Sequence, residues 1–330
     1  MKIIINSTLC IGVFFFCFSV SCRAQFPPSA GQPGSTAIFK DSSVLVGWAT
    51  GCKVHRGYIK ISDTSLTYLG DNKANYGAEG SALGKADNAP VSLGDGGYAV
   101  VTFDKPVTNG PGYDFAVFEN GLNDSFLELA FVEVSSDGVN FFRFPSVSNT
   151  QTNEQVPTFG SVDATKIDNL AGKYRALYGT PFDLETLAGT PGLDINRVTH
   201  IKIIDVVGCI QPAFATYDSK GNIINDPWPT PFNTGGFDLD AVGVLHFTYS
   251  TENQSVYIYP NPVTDHVTIN ILTGSVFDMV IHDGSGKLVW EEENVKNNST
   301  IDVGFLNAGI YFCTFTFENG NTEVRKMIRR

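Results

Sequence analysis

The feature that most constrains the fold is a succession of short runs of β-branched and aromatic residues, separated by turn-forming residues. Such runs are typical of strands, because these side chains fit a pleated, half-buried surface. Asp137-Gly138 lies between two runs and is a hairpin signal of the primed-turn kind. Only residues 162–178 and 183–188 invite helical interpretations, and both stretches are short. The runs are Val44–Trp48, Ala99–Phe103, Asp114–Phe118, Glu128–Val134, Phe141–Phe144, His200–Val207 and Asp238–Leu245.

Many short strands with frequent Gly and Asn turns predict an all-β protein. We expect residues 39–247 to form a jelly-roll-like β-sandwich, preceded at residues 25–38 by a flexible leader rich in Pro, Gly and Ser. Residues 256–330 contain further short runs of the kind that build a small immunoglobulin-like β-sandwich. The polar stretch 248–255 is predicted to be the linker between the two domains.

The N-terminal residues 1–24 have the organisation of a secretory signal peptide. Lys2 precedes an apolar stretch from Leu9 to Val20, and Cys22-Arg23-Ala24 places small residues at positions −3 and −1 of a cleavage site. The alternative is a lipoprotein lipidated at Cys22, but Ser19 stands where a lipobox has Leu. No later apolar run approaches the roughly 20 residues of a membrane helix, so no transmembrane segment is expected in the mature chain.

The charge of the chain argues against nucleic acid as a partner. The formal charge is −12, and loss of Lys2 and Arg23 with the signal peptide, together with no acid, takes it to −14. Nucleic acids and anionic membranes are bound through Lys and Arg, and the main domain has no basic stripe. An acidic surface instead suits solubility and the binding of hard cations.

Three cysteines remain after removal of the signal peptide. Cys313 lies in an alternating run that puts it on the face of Tyr311 and Phe315, which predicts a buried small hydrophobe. Cys52 and Cys209 each follow a Gly at the end of an apolar run. In an oxidising compartment these two are candidates for a disulfide.

The C-terminal residues resemble a known export label. The run Val256–Asn270, the segment Leu306–Tyr311 and the basic run Arg325–Arg330 resemble the type A C-terminal sorting domain of the type IX secretion system of Bacteroidetes. The resemblance implies that residues 256–330 are recognised by the secretion machinery at the outer membrane, after export through the periplasm. The protein is then expected to be secreted or attached to the outer surface.

The main domain also resembles a family of bacterial secreted and cell-surface proteins of poorly defined function. Some Bacteroidetes surface proteins of this kind accompany outer-membrane uptake systems, including those for cobalamin. The resemblance therefore implies a cellular location and a fold more than a reaction. The segments that carry it are Gly47–Gly57, Ser92–Gly97, Asn109–Gly121, Phe131–Phe141, Gly179–Leu184 and Gly235–Gly243.

The most suggestive chemical pattern is acidic. Strand alternation puts Asp238 and Asp240 on one face, about 7 Å apart, where they repel each other unless a cation or hydrogen-bond donors lie between them. Glu119, Asn120 and Asp95 would complete an oxygen-rich Ca²⁺ shell, and an acid from the final strand resembles the structural calcium sites of jelly-roll carbohydrate-binding modules. The alternative is that one Asp caps a turn while the other faces solvent.

A second candidate site is the loop from Asn225 to Phe232, which contains three prolines. A stiff, extended backbone could present Trp228 and Phe232 outward for stacking on a sugar ring or a macrocycle, with little entropy lost on binding. The alternative is that Trp228 plugs the end of the sandwich. Tyr58, Tyr76 and Tyr113, near Gly-rich turns, are weaker candidates of the same kind.

Signatures of catalysis are sparse. Neither a Gly-x-Ser-x-Gly elbow nor a His-Glu-x-x-His motif occurs, and no catalytic residue is assigned. Glu119, Glu128 and Glu133 are the acids from which a glycosidase pair would be drawn. The prediction is a non-catalytic surface protein that captures a glycan or a small nutrient, for example a corrinoid. The alternatives are an adhesive or structural surface protein without a small ligand, and a secreted glycoside hydrolase.

Overall fold

The computed structural model describes residues 26–247, 256–271, 276–317 and 322–330. The described residues form antiparallel strands and three short 3-10 helices, with no α-helix among them, so the all-β prediction is confirmed. No helix in these ranges is long and apolar enough to cross a bilayer. The chain divides into two compact units, Met1–Thr248 and Tyr249–Arg330. The predicted signal peptide at residues 1–24 and linker at residues 248–255 lie outside the described residues.

The strands of the first unit are short, as the frequent turn residues predict. They are β1 (Ile38–Phe39), β2 (Gly47–Trp48), β3 (Gly51–His55), β4 (Val91–Ser92), β5 (Tyr98–Val107), β6 (Phe115–Glu119), β7 (Ala130–Ser135), β8 (Phe142–Arg143), β9 (Val147–Ser148), β10 (Ile167–Asp168), β11 (Tyr178–Phe182), β12 (Val198–Asp205) and β13 (Asp238–Val244).

Two antiparallel sheets make up most of this unit. One has the order β1-β11-β6-β13-β2, with β4 also paired to β13, and the other has the order β3-β5-β12-β7-β8. Val117 and Val242 of the first sheet share one core cluster with Val132 and Ile201 of the second. Burying each such side chain contributes about 1.5–3 kcal/mol, so the contact between the sheets is the main source of stability in this unit.

Strand β13 is central to the first sheet and determines where the acidic residues lie. It is flanked by β6 on one side and by β2 and β4 on the other, and all seven of its residues are buried. Its register with β6 shifts between Leu239 and Ala241. Both faces of β13 are buried, so Asp238 and Asp240 lie inside the protein. The alternative interpretation has one of the two facing solvent, and neither does.

The two stretches that invited helical interpretations contain only single 3-10 turns. Ala164–Lys166 begins after Asp163, whose side chain accepts a hydrogen bond from the Thr165 N–H, and Leu184–Leu187 begins in the same way after Asp183. A third 3-10 helix spans Glu79–Ala82.

The second unit is a small sandwich of two antiparallel sheets, with the orders β14-β15-β18 and β17-β16-β19-β20. Its core combines Val267 and Ile269 of the first of these sheets with Met279 and Phe315 of the second. Cys313 is fully buried in the same core, as the alternation predicts. Its strands are β14 (Val256–Tyr259), β15 (His266–Ile271), β16 (Val276–Asp283), β17 (Leu288–Lys296), β18 (Thr300–Asp302), β19 (Gly309–Phe317) and β20 (Thr322–Arg329).

The structure corrects the expected disulfide between Cys52 and Cys209, because both are free thiols. Cys52 lies on β3 against the main core, whereas Cys209 is buried in a separate cluster with Val207 and Trp228. Burial raises the pKa of the Cys52 thiol to about 12. The thiolate that thiol exchange requires is therefore disfavoured at this position.

Candidate functional site

A cavity of about 350 Å³ lies in the first unit, within the size range of small-molecule sites. Its apolar lining consists of Leu122 and four aromatic side chains, and its polar groups are carboxyl, amide and hydroxyl groups. The aromatic side chains are Tyr76, Phe126, Phe159 and Phe232, and the polar ones are Asn120, Glu128, Thr158, Thr230, Thr234 and Asp238.

Strand ends from both sheets bring the acidic groups together. Glu119 is the last residue of β6, and it pairs with Leu239, next to the first residue of β13, Asp238. Antiparallel pairing therefore puts Glu119, Asn120 and Asp238 at one end of the first sheet. Glu128 arrives from the second sheet, two residues before β7 begins.

The amide of Asn120 connects the two carboxyl groups of the first sheet. With its nitrogen facing them, Nδ2 donates to Asp238 Oδ2 at 3.2 Å and to Glu119 Oε1 at 3.1 Å. Glu119 Oε2 also accepts a hydrogen bond from the Gly121 N–H at 2.6 Å. Asp238 also accepts a hydrogen bond from the hydroxyl group of Ser92, on the paired strand β4, and its carboxylate has room for a further donor.

Burial raises the pKa values of all three carboxyl groups. It raises the pKa of Asp238 to about 7, opposed first by a hydrogen bond from the Ser92 hydroxyl and then by the positive charge of Arg56. Burial first, and the charge of Asp238 second, hold the pKa values of Glu119 and Glu128 well above their usual range. Each carboxylate in this group therefore makes ionisation of its neighbours less favourable.

The five predicted calcium ligands do not converge. Asp240 caps a turn, because its carboxylate accepts hydrogen bonds from the Asn88 N–H at 3.0 Å and the Asp87 N–H at 3.3 Å. Asp95 accepts from the Ile61 N–H at 2.8 Å and does not line the cavity. Only Glu119, Asn120 and Asp238 of the predicted set lie together.

Calcium binding by these three residues stays a prediction. Within the described ranges, no group of three or more His, Cys, Asp or Glu side chains is placed to hold a metal ion. A Ca²⁺ ion would also need the Asn120 amide oxygen, rather than its nitrogen, to face Glu119 and Asp238.

The structure also corrects the expected role of Trp228. Its side chain is 6% exposed and packs with Val207 and Cys209, and its Nε1–H donates to Asp95 Oδ2 at 3.1 Å. The residue therefore plugs the interior, as the alternative interpretation holds, and offers no stacking face. Tyr113 is half-exposed but does not line the cavity.

Of the predicted ligand-binding aromatics, Tyr76 lines the cavity, and so does Phe232. Its ring stacks on that of Phe159, with centroids 6.2 Å apart and planes at 21°. Phe159 in turn lies 6.2 Å from the ring of Phe126. The three rings form a continuous apolar wall, which we call the Phe126–Phe159–Phe232 wall.

Sequence patterns alone could not assemble this wall. Phe126 and Phe159 stand in loops outside the alternating runs, so periodicity gave no signal for them. The sequence points to Glu128 only as one of three acids for a glycosidase pair. Of the others in that set, Glu133 is held by Arg143 at 2.8 Å and Lys202 at 3.7 Å and does not line the cavity.

A second group of buried acids beside the site is bound to backbone N–H groups. Asp205 accepts from the Phe237 N–H at 2.7 Å and the Gly96 N–H at 3.0 Å, and Asp226 accepts from the Leu129 N–H at 2.8 Å. Together with the Asp95–Trp228 contact, these bonds attach the loop before Phe232 to both sheets.

The comparisons with known proteins concern mainly the second unit. Residues 257–330 match the family model of the secretion system C-terminal sorting domain. No curated protein matches the chain. Among solved structures, a β-glucuronidase of Faecalibacterium prausnitzii is 12% identical, with 87% of this chain and 46% of that chain covered and a TM-score of 0.23. The apo β-glucuronidase of Ruminococcus gnavus is 14% identical, with coverages of 76% and 40% and a TM-score of 0.20.

The chain spans less than half the length of these two enzymes, and likeness at such TM-scores carries no argument. The matched tail defines the class of protein: a secreted β-sandwich protein with a C-terminal sorting domain. More particularly, the tail is that of a type IX secretion substrate of Bacteroidetes, which places the protein at the cell surface or in the medium.

Proposed function

We propose that the first unit captures a small ligand, a sugar or a nutrient of similar size, at the outer surface to which the sorting domain directs it. One observation carries this proposal: aromatic walls and buried polar groups line the same cavity of about 350 Å³. Such a combination orients a ligand through a few polar contacts while apolar area supplies the affinity.

The chemistry of the walls suits a sugar ring. The C–H faces of a sugar pack on aromatic rings, and Phe159 and Phe232 already stand parallel to each other. The hydroxyl groups of the sugar would meet Glu128, Asp238 and the threonine hydroxyls. Because Asp238 is held by strand β13 and Asn120 by hydrogen bonds, little conformational entropy would be lost on binding.

The size of the cavity favours a ligand smaller than a corrinoid. A corrin macrocycle with its side chains is several times larger than a sugar ring, and a cavity of about 350 Å³ would accept only its edge. Corrinoids therefore remain in the test panel, but a mono- or disaccharide fits the volume better.

The proposal is tested by thermal unfolding of the mature chain against a panel of glycans and corrinoids. A ligand at 100 times its dissociation constant stabilises a protein by about 2.7 kcal/mol, which raises the midpoint of a unit of this size by roughly 5 to 10 °C. Phe232→Ala should remove the shift, whereas Tyr113→Ala, an aromatic outside the cavity, should keep it. If no organic ligand shifts the midpoint, an adhesive or structural role is favoured instead.

A glycoside hydrolase is the second candidate, because Glu128 and Asp238 line the same cavity. Glycosidases use two carboxyl groups on either side of the scissile bond, one of them protonated by a raised pKa. Release of reducing sugar from a bound glycan, lost in Glu128→Gln with binding retained, would support this function. Binding without turnover would support ligand capture without catalysis.

A further inference from the structure

The cavity is acidic and has no basic counterpart in its walls. Glu128 and Asp238 line it, and the Asn120 amide joins Asp238 to Glu119. None of the described lining residues is Lys, Arg or His. A ligand with a carboxylate or a phosphate would find no positive group there and would meet two carboxyl groups.

A cation outside the lining offsets only part of this acidity. The positive charge of Arg56 lowers the pKa of Asp238, while its guanidinium donates to the backbone carbonyl groups of Tyr76, Gly77 and Ser92. Arg56 is not among the residues that line the cavity. The remaining acidity is left to be balanced by protons or by a ligand.

One buried carboxylate can accept further hydrogen bonds. Asp238 is 7% exposed and lines the cavity, and its donors among the described residues are the Asn120 amide and the Ser92 hydroxyl. An ionised carboxylate accepts about four hydrogen bonds, so a donor from the ligand would find free lone pairs there. The strongest such donor is a charged N–H group, because charge-assisted hydrogen bonds exceed neutral ones.

The aromatic walls distinguish an organic cation from a metal ion. Tyr76 and the Phe126–Phe159–Phe232 wall line the cavity, and the faces of aromatic rings attract ammonium groups. A hard divalent ion takes oxygen ligands and gains nothing from apolar rings.

We propose that this cavity selects a ligand that carries an ammonium group, such as an amino sugar, with the ammonium group on Asp238 and Glu128 and the apolar face on the phenylalanine rings. This inference rests on the proposed function and adds the charge of the ligand to it. It excludes uronic acids and sugar phosphates as preferred ligands.

Three probes with the same ring and different charge test the inference: glucosamine, glucose and glucuronic acid, titrated into the mature chain by calorimetry. We expect affinity to fall in that order, with at least a tenfold difference between glucosamine and glucose. Glu128→Gln keeps the shape and removes a charge, so the preference for glucosamine should shrink severalfold. Glu133→Gln, whose carboxylate is engaged by Arg143 and Lys202 away from the cavity, is the matched control and should leave the preference unchanged.

The outcomes separate this inference from the proposed function. Glucose or glucuronic acid binding as well as glucosamine, with binding lost in Phe232→Ala, would overturn the inference and leave capture of a small ligand intact. Sugar binding that requires Ca²⁺ and is lost in Asp238→Asn would also overturn the inference, because a metal ion and not an ammonium group would then bind the carboxyl groups. No saturable binding of these probes, or of any ligand in the panel of glycans and corrinoids, would refute both. If Glu128→Gln does not fold, Asp238→Asn provides the same charge comparison.

Discussion

Replacing Asp95 with Asn should remove a pH-dependent part of the stability of the first unit. Asp95 is almost fully buried, and burial raises its pKa from 3.8 to about 6, against the hydrogen bonds from the Ile61 N–H and Trp228 Nε1–H. A carboxyl group with a raised folded pKa contributes stability below its unfolded pKa and loses it as pH rises through its folded pKa.

The magnitude follows from the size of the shift. A difference of about two pKa units corresponds to about 3 kcal/mol, lost between pH 4 and pH 7. The charge of Asp95 also raises the pKa of Asp205, so removing it should relieve part of the same penalty at Asp205. Both effects act in the same direction.

The assay is urea unfolding of the wild type and the Asp95→Asn variant at pH 4, 5, 6 and 7. The free energy of unfolding of the wild type minus that of the variant should fall by about 3 kcal/mol over this range. Asp104→Asn, at an exposed position on β5, is the matched control for the substitution itself. A difference for Asp95→Asn that is constant, or that rises with pH, would refute the reasoning.

Three further perturbations have definite expected results. Gly208→Ala should destabilise the first unit by at least 1–3 kcal/mol in urea unfolding, because its Cβ would lie 1.6 Å from Asp226 Oδ1; an unchanged midpoint would contradict this packing. Trp228→Phe should lower the free energy of unfolding by about 1–3 kcal/mol, because Asp95 Oδ2 loses one donor. A loss of the same size in the Asp95→Asn background would argue against that hydrogen bond. Deletion of residues 257–330 should retain the protein inside the cell envelope, as measured by fractionation, whereas surface display of the truncated chain would show that the sorting domain is dispensable.

Much of the fold could be predicted from the sequence, because strand patterns are local. The alternation in Gly309–Phe317 predicts a buried Cys313. On β13 the register with β6 shifts between Leu239 and Ala241, which interrupts the alternation at Asp240, and no local pattern signals this shift. What alternation could not show is that β13 is buried on both faces, since that depends on the strands that flank it.

The site was only partly predictable for the same reason. Glu119, Asn120 and Asp238 could be grouped because they stand at the ends of strongly patterned strands. Phe126 and Phe159 come from loops, and Glu128 comes from the other sheet, so only the packing of the two sheets brings them together. The orientation of Trp228 is ambiguous in the sequence, because a proline-rich loop can turn an aromatic side chain outward or inward. The inward orientation is fixed by a hydrogen bond to the Asp95 carboxylate, which is remote in sequence.

The most direct test of the account is a calorimetric titration of the mature chain with the best ligand of the panel. We expect saturable binding at one site per chain. This binding should be lost in the Phe159→Ala and Phe232→Ala variants and kept in Tyr113→Ala. Binding that survives both phenylalanine substitutions, or no saturable binding of any small ligand, would contradict the claim that this cavity captures one.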